Sequence, residues 1–113
     1  MSDEKRLLGV IGLCRGAGKA IIGTDMICDH LRRSGGASVI VIEASDTSDN
    51  TSKKLSDKCS FYNAEHVRIK ANCAELGAAV GKSAVAAVAI ADESFCKAVK
   101  KQLESARIES QKR

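Results

Sequence analysis

The chain has 113 residues, 44% of them apolar and 28% charged, with a net charge of +4. That is enough for one compact core and too little for two, and the apolar share excludes a disordered chain. No apolar run approaches the roughly 18–20 residues of a membrane-spanning helix, and the opening MSDEKRLLGVIGL carries Asp3 and Glu4 without a signal-peptide cleavage pattern; the expectation is a cytoplasmic protein with no membrane partner.

In chain order, Leu7, Leu8, Ile11 and Cys14 recur at helical spacing and predict an amphipathic helix that ends at Gly16-Ala17-Gly18. A short strand follows over Lys19 to Ile22. The stretch GTDMICDHLRRSGG predicts a second helix, with Thr24 as its N-cap, Met26, Ile27 and Leu31 turned inward and Gly35-Gly36 as its stop. Ser38 to Ala44 is the clearest strand, apolar enough to be buried on both faces and so placed at the centre of the sheet.

After the polar turn SDTSDN, a third helix carries Leu55, Cys59 and Tyr62 inward and a basic face at Lys53, Lys54 and Lys58, capped by Thr47 or Ser48, with Asn50-Thr51 at its start. HVRIKA alternates and predicts a half-exposed strand; CAELGAAVG is a short helix stopped at Gly81; AVAAVAIA is a second apolar strand. The closing helix DESFCKAVKKQLESA is capped by Asp92, with Phe95, Val99 and Leu103 inward. Strands alternating with helices predict an α/β fold, a three-layer α/β/α sandwich around a mostly parallel or mixed four-stranded sheet. It forms one domain over residues 1–106 and leaves 107–113 as a frayed tail.

The glycine-rich stretch GLCRGAGKAII has the look of a phosphate-binding loop, whose pattern is G-x-x-x-x-G-K-[ST]. Gly18-Lys19 is present, but Leu13 stands at the first glycine position and Ala20 at the position of the metal-binding hydroxyl. A helix, not a buried strand, precedes the glycines, and residue 21 is Ile where a dinucleotide fingerprint needs Gly or Ala. No nucleotide, cofactor or metal is expected. The five cysteines, Cys14, Cys28, Cys59, Cys73 and Cys96, include no CxxC pair and read as reduced thiols packed as small hydrophobes. His30 and His66 stand in no catalytic spacing, so no enzyme is expected.

The segments LLGVIGLCRGAGKAIIGTDM, VIEASDTSDNTSKKLSDKCSFYN and AELGAAVGKSAVAAVAIADESF, in that order, resemble the ribosomal protein L7Ae family, most closely its short, free-standing bacterial YlxQ-type members, over roughly residues 5–103. The resemblance implies a small, non-enzymatic protein that binds structured RNA, typically a kink-turn stabilised by tandem sheared G·A pairs, with ribosomal RNA or the ribosome as the partner. By position, the implied surfaces are the start of the second helix, Gly23, Thr24, Asp25, Met26 and Ile27, and the loop before the last strand, Gly81, Lys82, Ser83 and Ala84.

Family members usually carry Asn-Glu where this chain has Asp25-Met26, and a lysine where it has Asp29; an ionised Asp accepts but cannot donate, and near phosphate it repels. An electrostatic surface remains, with Arg15, Lys19, Arg32, Arg33, Lys53, Lys54 and Lys82 on RNA backbone, although each basic pair also suits a solvated helix face. The alternative is a protein-interaction module on the same sandwich that has lost kink-turn recognition. With aromatic residues at 3%, stacking of single strands on a sheet face is not expected.

Overall fold

The computed structural model describes the backbone of residues 3–111 and the side chains of residues 4–104. Five helices and four strands alternate: α1 (Asp3–Gly16), β1 (Ala20–Ile22), α2 (Thr24–Ser34), β2 (Ile40–Glu43), α3 (Asp49–Tyr62), β3 (Glu65–Arg68), α4 (Cys73–Ala79), β4 (Ala87–Ile90) and α5 (Glu93–Gln111). Helix α5 takes in most of the 107–113 segment, and residues 112 and 113 lie outside the described residues.

The sheet is mixed, in the order β1-β4-β2-β3. Only β2 and β3 pair in parallel, joined by the crossover helix α3, while β4 runs antiparallel to both β1 and β2. Of the two arrangements expected, mostly parallel or mixed, the sheet is the mixed one: β4 enters between two strands that alternation alone would have set side by side.

Two apolar layers cover the sheet, and the period-two alternation of β2 feeds both. Ile40 and Ile42 meet Leu7, Ile11 and Cys14 of α1, Leu76 of α4 and Val99 and Leu103 of α5 on one face. Val39 and Val41 meet Ile27 and Leu31 of α2 and Leu55 and Cys59 of α3 on the other. Every residue of β2 and β4 is buried, as expected of strands covered on both faces.

Local signals set the helix ends. The Ser48 hydroxyl caps α3 by accepting from the Thr51 N–H at 3.3 Å, Asn72 and Glu75 form a reciprocal capping box on α4, and the Asp92 carboxylate accepts from the Phe95 N–H at 3.1 Å. Two details of α2 differ from the sequence expectation. Its N-cap is Gly23 rather than Thr24. Met26 is 58% exposed, because Ile27 and Leu31 form the inward stripe and its neighbour points about 100° away.

All five cysteines are free; Cys14, Cys59 and Cys96 are buried and Cys28 and Cys73 half-buried. Burial pushes the Cys14 and Cys59 thiols up to about 11, so they stay protonated and packed.

Among the described residues, one buried acidic side chain interrupts the apolar layers. Glu43, at the end of β2, is 1% exposed; its Oε1 lies 2.8 Å from His66 Nε2 and its Oε2 3.6 Å from Arg68 Nε. Oε2 has no hydrogen bond. Breaking such a pair strands a buried charge, whereas an apolar residue of similar size removes the desolvation cost altogether. His66→Ala leaves Glu43 Oε1 without its hydrogen-bond partner and is expected to lower unfolding free energy by about 1–3 kcal/mol, and Glu43→Leu to be near neutral, as urea denaturation of both variants would measure.

Candidate nucleic-acid interface

The two segments singled out in the sequence lie at the same end of the sheet. The Gly23 N–H, at the junction of β1 and α2, donates to the Ala87 carbonyl at 3.1 Å, and the Ala44 N–H after β2 donates to the Ala86 carbonyl at 2.8 Å. The chain entering β4 is thus held between the exits of β1 and β2, with the 81–84 loop immediately upstream.

Gly23 adopts φ +98°, a conformation that side chains oppose, and it caps α2 without any side-chain hydrogen bond. The first-turn N–H groups of α2 therefore lack a capping side chain, and the positive end of the helix dipole faces outward. Thr24 is half-buried, Asp25 and Met26 are exposed, and Ile27 is buried in the layer beneath.

The loop is held on its inner side and open on its outer side. The Lys82 N–H donates to the Gly77 carbonyl at 2.8 Å and the Val85 N–H to the Cys73 carbonyl at 3.0 Å, tying the loop to α4. Gly77 makes that approach possible, since a Cβ there would stand 2.6 Å from the Ala84 Cα. Gly81, Lys82, Ser83 and Ala84 are all exposed. Arg15, in the last turn of α1, joins the loop: its guanidinium lies 3.8 Å from where a Gly81 Cβ would be.

The acids of α2 are compensated by neighbouring cations. Lys54 of α3 reaches across to Asp25, Nζ to Oδ1 at 3.2 Å. Asp29 accepts from Arg32 at 2.6 Å and lies 2.7 Å from Arg33 Nη2. The hydrogen bond from Arg32, with both guanidinium charges, holds the Asp29 carboxyl below the usual carboxylate range. The acid expected to repel phosphate thus carries two positive groups with it.

Other basic residues lie apart. Lys53 pairs within α3 with Asp57 at 3.9 Å. Arg32 and Arg33 sit in the last turn of α2, about 10 Å along the helix from Asp25. Lys19 precedes β1 at the opposite end of the sheet, its Nζ 3.9 Å from Asp92. Among the described residues, no cluster of His, Cys, Asp and Glu could hold a metal ion, and no helix is long and apolar enough to cross a membrane. The Lys54–Asp25 pair is the feature that sequence reasoning missed: the partners are 29 residues apart, and no local pattern links them.

Residues 5–100 match the ribosomal protein L7Ae/L30e/S12e/Gadd45 family. The chain belongs to that family. It is 34% identical over 86 residues, 76% of this chain and 83% of the relative, to the RNA-binding protein YlxQ of Bacillus subtilis (strain 168). It is 31% identical over 102 residues, 90% of this chain and 95% of the relative, to the RNA-binding protein YlxQ of Enterococcus faecium. Among solved structures, a protein of unknown function from Bacillus halodurans C superposes with a TM-score of 0.78 at 26% identity, covering 87% of this chain and 96% of that one. The Giardia lamblia 15.5kD RNA binding protein superposes with a TM-score of 0.71 at 16% identity, over 96% and 91% respectively, and shares the fold.

Gly77→Ala tests the loop's attachment to α4. The added Cβ forces the two apart, an overpacking cost of about 1–3 kcal/mol, and the Lys82 and Val85 amides are expected to lose hydrogen-exchange protection while those of β2 keep theirs.

Proposed function

We propose that this protein binds structured RNA, of the sharply bent kink-turn type, on the surface formed by the start of α2, the 81–84 loop, Arg15 and Lys54, and that it does so without catalysing a reaction. Family membership and two relatives named RNA-binding proteins support RNA as the partner. The observation that carries the surface is the Asp25–Lys54 pair at the open end of α2.

An asparagine amide at this position would offer a base edge one acceptor and one donor side by side. Asp25 alone offers only acceptors, but with Lys54 Nζ at 3.2 Å the pair presents both. Uncapped N–H groups at Thr24 and Asp25, and the cations Arg15 and Lys82, add backbone contacts. Arg32 and Arg33 extend the basic face along α2, beyond the reach of the base pairs at its start. Met26 then brings an apolar contact where relatives of the family carry an acid.

The alternative, a protein-interaction module, is favoured by one observation, the 68% exposure of Leu13 on α1. It predicts that RNA affinity is weak and indifferent to RNA shape.

Fluorescence anisotropy with a labelled kink-turn RNA, and with a control whose tandem G·A pairs are replaced by Watson–Crick pairs, separates the two. RNA reading by the pair predicts tight binding that the control loses. Lys54→Ala is expected to weaken kink-turn binding about tenfold and to lower the salt slope by about one. Asp25→Asn in the Lys54→Ala background restores a donor and is expected to recover most of that loss. Equal, weak binding to both RNAs would reject the proposal.

A further inference from the structure

Beyond the start of α2, the outward face of α3 carries a second feature. Lys54, Lys58 and Phe61 recur at intervals of four and three residues and therefore line one side of the helix. With Asp57 and Tyr62 they border a shallow recess of about 470 Å³. Phe61 is 76% exposed, the most exposed of the large apolar side chains among the described residues.

A single exposed apolar residue is ordinary, but this ring is held in place. It stands edge-on to Tyr62 with centroids 4.8 Å apart and planes at 84°, and Tyr62 packs against the buried layer beneath. Its outer face is presented to solvent. The flanking charge is mixed with a positive excess: Lys54 and Lys58 stand against Asp57, which lies 3.9 Å from Lys53, while Lys58 has no ion-pair partner among the described residues. Lys54 joins the recess to the start of α2 through its contact with Asp25 at 3.2 Å.

We propose that the recess on α3 receives the single-stranded continuation of the bound RNA, with one nucleobase stacked on Phe61 and its phosphates met by Lys58 and Lys54. This rests on the preceding proposal that structured RNA docks at the start of α2. The spacing suits it. Lys54 and Phe61 are seven residues apart, about 10 Å along the helix axis, which is the span of about three stacked nucleotides at 3.4 Å each. A phenyl ring accepts any base, because every base has a π-face, so the recess adds affinity for an unpaired strand without reading its sequence.

The test compares a blunt kink-turn RNA with the same RNA carrying a three-adenosine overhang on either strand. The wild-type protein is expected to bind one of the overhang RNAs about tenfold more tightly than the blunt one. Phe61→Ala is expected to abolish that gain and leave the affinity for blunt RNA unchanged, and Lys58→Ala to reduce the gain. The chain contains no tryptophan, so Phe61→Trp places a lone reporter on the recess: its fluorescence should be quenched by the overhang RNA and not by the blunt one.

If blunt RNA binds tightly while overhangs add nothing and the reporter stays unquenched, the recess does not hold RNA, although the site at α2 stands. The recess is equally without a role in RNA binding if Phe61→Ala leaves both affinities untouched. If blunt RNA itself fails to bind, the reading of the α2 surface falls and this inference falls with it.

Discussion

β4 is inserted antiparallel between β1 and β2, and the rest of the molecule's geometry at that end of the sheet follows from the insertion. It requires the chain entering β4 to come in beside the exits of β1 and β2, where the Ala86 and Ala87 carbonyls accept from Ala44 and Gly23. The 81–84 loop and the uncapped start of α2 thereby come to the same end of the sheet, although more than 50 residues separate Gly23 from Gly81 in sequence, and Lys54 of α3 reaches that end through Asp25. Two glycines make the junction possible. Gly23 turns the chain into α2 through a positive φ, and Gly77 lets the loop lie against α4 where any Cβ would collide with backbone.

The electrostatics of this surface are set by pairs rather than by a basic run. Asp25 and Asp29 stand where the family resemblance implies Asn and Lys, yet each acid is matched by a cation: Asp25 by Lys54, and Asp29 by Arg32 and Arg33. The α2 face therefore keeps a positive surplus. Exposed pairs of this kind contribute little to stability, so their consequence lies in what the surface offers to a ligand. The buried Glu43, by contrast, is a stability matter, an ionisable group in a strand otherwise filled with β-branched residues.

Much of the fold was legible because the sequence carries strong local signals. The double-faced strand at Ser38 to Ala44, the caps at Ser48 and Asp92 and the stops at Gly35 and Gly81 all act over a few residues, and each appears within a residue or two of its expected place. Strand direction was not legible, since alternating strands and helices are consistent with either orientation of β4 and only the long-range hydrogen bonds decide it. The inward placement of Met26 failed for a local reason: Met26 and Ile27 are both apolar, and the stripe could be drawn through either until Leu31 fixed it on Ile27. The candidate surface was half legible. Glycines and exposed cations marked the segments, but the partner of Asp25 lies on another helix, and Lys19, close in sequence to α2, proved to lie at the far end of the sheet beside Asp92.

The most direct measurement is a titration of the isotope-labelled protein with kink-turn RNA, followed by amide chemical shifts in nuclear magnetic resonance. The account predicts that the largest changes fall on Gly23 to Ile27 and Gly81 to Ala84, with Lys54 and Arg15 following, and that the α1/α5 face around Lys97 and Lys101 is unmoved. Changes concentrated on that opposite face, with the start of α2 and the 81–84 loop silent, would contradict it.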